Sequence, residues 1–153
     1  MRAGFELPLL LAAAFRALID ELHDELAHQG HPGVRPVHGF ALQAVARDGL
    51  SVSELGRRLG ISKQAAAKTA AGLTALGYVV RDPDPEDGRA SRLRMTESGE
   101  DCLRASAEIF QGLRGRWAAE LGEDRIAALE DDLEALAGEA GPARLGDLPG
   151  WLR

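Results

Sequence analysis

Two helix starts and two helix stops fall between Ser51 and Gly77, and that punctuation leaves room for little except a pair of short helices joined by a tight turn. In Ser51-Val52-Ser53-Glu54 the serine hydroxyl can accept from a backbone N–H one turn on, while the glutamate reaches back to the serine N–H. This is the reciprocal capping box that opens a helix. Leu55 and Leu59, four apart, give that helix one apolar face, and Gly60 is suited to the left-handed conformation that ends it. Ile61 turns toward the core and Ser62 is a second N-cap, opening a helix that runs from Lys63 to Leu76 and stops at Gly77. Two helices joined by a three-residue turn containing a glycine form a helix-turn-helix.

Helical spacing sorts the second helix into two faces. Ala66, Thr69, Leu73 and Leu76 recur at intervals of three and four and are expected to point at the core, which leaves Lys63, Gln64, Ala67, Lys68 and Ala71 on the other side. That outer face is slim. Its lysines supply charge for phosphates, Gln64 can pair with an adenine edge, and the alanine methyls let the backbone approach closely and can touch a thymine methyl. Taken alone, these residues are equally well described as an alanine-rich helix with a solvated side. The next stretch tips the balance: Tyr78-Val79-Val80 and Leu93-Arg94-Met95 are strand-like and flank a polar, Pro-rich loop from Asp82 to Ala90, too long for a two-residue turn. The pair reads as a hairpin wing.

A helix-turn-helix followed by such a wing resembles the winged-helix domain of the MarR family of transcription regulators. The residues that carry the resemblance are Leu73-x-x-Leu76-Gly77-Tyr78-Val79 at the helix exit, Asp84-Pro85-Glu86-Asp87-Gly88-Arg89 at the wing tip, and Leu93-Arg94-Met95-Thr96-x-x-Gly99 leading into a long helix. Asp87-x-Arg89 matches that family's wing signature, whereas Gly88 stands where the family usually carries a bulkier or basic residue. The resemblance covers about residues 5 to 137. It implies a dimeric, sequence-specific regulator, a ligand-responsive repressor on a pseudo-palindromic operator in double-stranded DNA. Its expected DNA contacts are Ser62, Lys63, Gln64, Ala67, Lys68, Asp87, Arg89 and Arg92. At the wing tip Arg89 is placed to reach the adjacent minor groove, and Asp87 to hold the turn by accepting from Arg89 or from backbone N–H groups. The plain alternative there is an exposed ion pair with no further task.

A net charge of −6 looks wrong for a DNA reader until it is divided along the chain. Residues 1–50 carry four basic and six acidic side chains, net −2; residues 51–95 carry eight and five, net +3; residues 96–153 carry six and thirteen, net −7. The positive excess lies wholly in the winged-helix block, and the acidic remainder is repelled by phosphates, which orients the chain on a duplex. A length of 153 residues is a prior for one domain, and with 45% apolar residues it can bury a sizeable core. No apolar run is long enough to span a bilayer and Leu7 to Ala14 lacks the flanks of a signal peptide, so a cytoplasmic protein is expected. A single cysteine, which cannot form an internal disulfide, agrees with a reducing compartment.

The flanks are helical. Leu11, Phe15, Leu18, Leu22 and Leu26 mark the apolar stripe of a helix over 5–28, with Ile19 widening it; a connector rich in Pro and Gly and a helix over about 37–47 follow. After the wing Thr96 caps a long helix with the stripe Leu103, Phe110, Leu113, Trp117 and Leu121, broken by Gly122, and Ile126, Leu129, Leu133 and Leu136 mark a last one. These helices offer more apolar surface than the central block can cover. They can pack on one another as a small intramolecular bundle or on a second copy, and the two-fold symmetry of DNA readers of this type favours the homodimer, as does the resemblance. The expected fold is therefore mainly α with a small β-hairpin wing, a winged helix-turn-helix carried between long N- and C-terminal dimerisation helices. Within one domain, residues 5–48 serve dimerisation and a pocket, 49–95 DNA binding and 96–137 dimerisation, and 138–153 form a tail in which Trp151 is a lone large aromatic.

The resemblance also implies a small-molecule effector between the dimer helices and the winged helix, with Phe15, His38 and Trp117 as candidate lining residues or, equally, core residues. His23, His28, His31 and His38 fall within sixteen residues but offer no i, i+4 pair on one helix face. Surface or pocket histidines are the expectation, and no metal or other cofactor is assigned. Cys102, near a helix start and beside Asp101, reads as a small buried hydrophobe rather than an oxidant sensor. No nucleophile elbow, phosphate loop or triad order points to an enzyme. The alternatives left standing are a winged helix used only for protein contact and a metal- or redox-sensing member of the same family.

Overall fold

The computed structural model describes residues 3–86 and 91–138, the side chains of residues 47 and 48 excepted. Its elements in chain order are α1 (Glu6–His28), α2 (Pro36–Asp48), β1 (Leu50–Ser51), α3 (Val52–Leu59), α4 (Lys63–Ala75), β2 (Val79–Pro83), β3 (Ser91–Met95), α5 (Glu97–Leu121) and α6 (Glu123–Ala137). The three strands form one antiparallel sheet in the order β1-β3-β2, with Val79 opposite Met95, Asp82 opposite Arg92, and Leu50 opposite Leu93. The fold is thus the expected mainly helical one with a wing. Strand β1 is an addition: two residues too short to show a period, ordered because Leu50 and Leu93 are both buried.

Local chemistry sets most boundaries. Ser51 Oγ accepts from Glu54 N at 3.2 Å and Glu54 Oε2 accepts from Ser51 N at 2.7 Å, so the capping box is closed from both sides. The bonds from Ser51 hold the Glu54 carboxyl below its ordinary pKa. Gly60 takes the left-handed conformation, φ 62° and ψ 29°, at the C-cap of α3. Thr96 caps α5, its Oγ1 accepting from Gly99 N at 3.2 Å while its hydroxyl donates to Gly77 O at 2.6 Å. That one side chain ties the exit of α4 to the entrance of α5.

The core is one cluster built from α1, α2, α3, α4, the strands and α5, with Leu26, Leu42, Leu55, Leu59, Leu73, Val79 and Leu93 essentially inaccessible. The terminal helices depart from their expected stripes. On α1 only Ile19, Leu22 and Leu26 are buried, whereas Leu11 is 43% exposed and Phe5, Leu7, Leu9 and Leu10 are exposed with it. On α5 the buried side is Cys102, Ile109 and Leu113; Leu103, Phe110 and Trp117 are half-buried and Leu121 is exposed. On α6 Ile126 is buried while Leu129, Leu133 and Leu136 are exposed, the last by 81%. Guanidiniums pin these helices together: Arg114 donates to Glu130 and Glu123 across the α5–α6 turn, and Arg116 pairs with Glu21 of α1.

His31, expected at the surface or in a pocket, is a core residue, and His38 takes the core alternative left open for it. His31 is 6% and His38 2% exposed. Among the described residues no helix is long and apolar enough to cross a membrane. Trp151 lies outside the described residues.

Candidate nucleic-acid interface

The outer face of α4 is the one the sequence indicates. Ser62 Oγ accepts from Ala65 N at 3.1 Å, which fixes the first turn of the helix. Lys63, Gln64, Lys68 and Ala71 are exposed and Ala67 is half-buried, while Ala66, Thr69, Ala70 and Leu73 are buried on the opposite side. The two-faced pattern therefore holds, with Ala70 joining the core set and Leu76 only half-buried. Close approach of α3 sets the angle at which α4 is presented: a Cβ on Gly56 would lie 3.2 Å from Ile61 O and 3.4 Å from the Ala66 methyl. Behind α4, Gly72 faces His38 of α2, whose Nε2 would be 3.0 Å from an added Cβ. What remains outside is a smooth helical ridge of methyls with a lysine at its start and another one turn and a half on, and nothing acidic in the first turn.

The wing brings charge of both signs. Arg94 Nε donates to Asp82 Oδ2 at 2.6 Å across β2 and β3. Arg92, an expected DNA contact, instead donates from Nη2 to Gly49 O at 2.7 Å, with Asp84 and Glu54 carboxylates 3.8 and 4.0 Å from Nη1. It straps the wing to the α2–β1 junction, a role that only pairing of β3 with β1 could reveal. Asp84 Oδ1 accepts from Glu86 N at 2.9 Å and so turns the chain toward the tip. Asp87 and Arg89 lie outside the described residues. Exposed Arg57 and Arg58, which close α3 where a helix C-terminus favours cations, add to the basic side of the block; their doublet in the sequence was the available signal.

The three pocket candidates are not gathered in one cleft. Phe15 is half-buried against the core, Trp117 is half-buried on α5, and His38 is enclosed. His38 Nδ1 accepts from Arg35 N at 3.1 Å and its Nε2 has no partner. Burial first, then the charges of Arg35 and His23, lower its pKa to about 4. A cleft of about 650 Å³ at the wing base is lined by Val45, Pro83, Arg92, Arg94, Met95 and Glu100, and a groove of about 510 Å³ between α1 and α5 by Glu21, Asp24, His28, Glu108, Ile109 and Leu113. None of Phe15, His38 and Trp117 lines either.

The remaining reactive groups are committed to structure. Cys102 is 1% exposed, and burial pushes its thiol pKa up against the opposing hydrogen bonds of Ser106 and Tyr78, the reverse of what an oxidant-sensing thiolate needs. His23 Nδ1 bonds to Ile19 O at 2.7 Å, and His31 lies between Tyr78 and Asp101. Among the described residues no three or more of His, Cys, Asp and Glu are grouped to hold a metal ion.

An N-capped, slim, basic helix set behind a short helix by a glycine turn and followed by a three-stranded wing defines a winged helix-turn-helix protein. A MarR family model matches residues 33–90, from the connection before α2 through the wing, and in that stretch the chain resembles the winged-helix transcription regulators of that family. Solved structures share the whole arrangement. A transcriptional regulator from Thermotoga maritima is 24% identical over 88% of this chain and 94% of its own, with a TM-score of 0.64. Wild-type MarR of E. coli in its apo form is 21% identical over 86% and 97%, TM-score 0.69. A mutant S. aureus MepR bound to an oligodeoxyribonucleotide is 16% identical over 88% and 96%, TM-score 0.60. No curated protein matches the chain.

Proposed function

We propose that this protein is a homodimeric, sequence-specific DNA-binding repressor that reads a pseudo-palindromic operator through α4 and releases it in response to a small-molecule effector. The observation that carries the reading is the outer face of α4: Lys63, Gln64 and Lys68 stand exposed among alanines on a helix whose first turn is capped and free of acid. A face so short in side chain and so uniform in charge suits backbone-close docking in a major groove. Ser62 and Ala67 complete that face, Arg89 and Asp87 serve at the wing tip, and Arg92 acts by holding the wing. The oligonucleotide-bound MepR mutant has the same fold and lends its precedent.

Residues 5–48 and 96–137 supply the dimer interface and 49–95 the reading block. Support comes from Phe5, Leu7, Leu9, Leu10 and Leu11 at the start of α1 and Leu129, Leu133 and Leu136 on α6, all exposed in the single chain and available to a second copy. Such a regulator works in the cytoplasm beside its DNA and performs no chemistry on it. Sedimentation at micromolar concentration, together with footprinting of duplexes selected from a randomised library, tests the proposal. A dimer protecting two inverted half-sites about one helical turn apart is expected; a monomer, or a single unrepeated half-site, overturns it. A panel of small molecules that leaves the selected duplex bound at every concentration removes the effector from the proposal.

A further inference from the structure

Three segments far apart in the chain meet at His31, away from the reading face and from both clefts. His31 sits in the connection between α1 and α2, with Nδ1 2.9 Å from the Tyr78 hydroxyl and Nε2 3.1 Å from Asp101 Oδ2. A carboxylate can only accept, so Nε2 carries a proton toward Asp101, while Nδ1 and the Tyr78 hydroxyl share the second hydrogen bond. The tyrosine oxygen remains free to accept, and the Cys102 thiol lies within its hydrogen-bond reach. The two rings are 5.6 Å apart and tilted by 50°, so the contact is packed as well as polar. The string that results runs from a half-exposed carboxylate on α5, through the α1–α2 connection, to the residue that follows the recognition helix.

Tyr78 is gripped by its backbone too. Its N–H donates to Leu73 O at 3.0 Å, closing α4, and its carbonyl accepts from Thr96 N at 3.0 Å where α5 begins. A Cβ on Gly99 would overlap that carbonyl oxygen, so α5 is docked on Tyr78 as closely as a backbone permits. The helix α4 itself packs little on α5, and its position relative to α5 is therefore carried by this residue and its partners.

We propose that the string from His31 through Tyr78 to Asp101 is the joint that fixes the recognition helix and wing to α5, with His31 as a positioning residue. In the dimer this joint sets the separation of the two reading helices, and the inference rests on the dimeric DNA-reading function proposed above. Its signature is discrimination of half-site spacing, which stability alone does not alter. Duplexes selected by the unmodified protein from a randomised library are compared with versions having one base pair inserted or removed at the centre, which turns the half-sites by about 34° and shifts them by about 3.4 Å.

The unmodified protein should prefer the selected spacing by about tenfold or more, and Tyr78→Phe and Asp101→Ala should reduce the preference to about threefold or less. Binding to an unrelated duplex and the salt slope should stay as they were. Asp101→Asn keeps an amide oxygen that accepts from Nε2 and should retain the preference. Asp101→Ala carries the test if Tyr78→Phe does not fold, because the Asp101 side chain is 51% exposed and its loss leaves no buried gap. Variants with native unfolding midpoints and an undiminished preference overturn the joint. If the unmodified protein itself makes no such discrimination, the two-fold reading falls and this inference with it.

Discussion

Lowering the pH below neutral should loosen this fold through one imidazole. His38 is enclosed, its Nδ1 accepts the Arg35 N–H, and its Nε2–H faces Gly72 with no acceptor. A second proton must go to Nδ1, where it meets the Arg35 N–H head-on, ends the hydrogen bond at the start of α2, and leaves a cation in the core beside the Arg35 charge. The folded pKa accordingly lies at about 4 against an ordinary 6.5. Because the folded state resists the proton and the unfolded chain does not, the fold feels no penalty above pH 6.5 and loses stability as pH falls from there toward 4. Between pH 7 and pH 4.5 linkage puts the loss at about 2 kcal/mol, with a ceiling of about 3 kcal/mol below the folded pKa. Urea unfolding at fixed protein concentration, at both pH values, on the parent and on His38→Asn isolates the effect. The amide oxygen of asparagine can stand near the place of Nδ1 but does not titrate. Carboxylates titrate alike in both proteins, so the parent should lose about 2 kcal/mol more than the variant, a shift of about 1 M in urea midpoint. Equal losses in the two proteins would refute the reasoning.

Gln64→Ala should lose about 1–3 kcal/mol on the best selected duplex and little on random DNA, whereas Lys68→Ala should weaken both and reduce the log–log salt slope by about 1 per half-site; anisotropy titrations over a salt series measure both. Gly99→Ala forces a Cβ onto the Tyr78 carbonyl and should cost about 1–3 kcal/mol or more despite alanine's better helix propensity, read from the unfolding midpoint. Arg89→Ala should leave folding and sedimentation unchanged while lowering affinity several-fold, most on operators with A·T-rich flanks, and binding to duplexes that differ only in those flanks decides it.

The residues that could be read in advance are those whose partners lie within one turn. Ser51 with Glu54, Gly60, Ser62, Thr96 and Gly122 all mark boundaries through bonds or dihedrals set by three or four neighbouring residues. What could not be read depends on partners far along the chain. His31 and His38 carry the same side chain as His28, three and ten residues before them, and nothing local says that one is met by Tyr78 and Asp101, another walled in by Gly72, and the third left exposed. Arg92 looked like its neighbour Arg94 until β3 was paired on both edges, which turned one guanidinium to Gly49 and the other to Asp82. On α5 the expected stripe was off by about one residue because α1 and α2 claim the side bearing Cys102 and Ile109, while Trp117 and Leu121 lie where α5 leaves the rest of the core.

The hydroxyl of Thr96 narrows the amino-acid alphabet at its own position more than capping alone would. Serine, threonine, aspartate and asparagine are near-equivalent helix caps in general, since each offers an oxygen to the N–H groups of the first turn. Here the same atom must also give a proton to Gly77 O. Aspartate has an oxygen but no proton to give, and asparagine divides the two abilities between atoms that cannot occupy one point. Of four ordinary caps only the two alcohols remain, so drift at this site is confined to the exchange of a single methyl group.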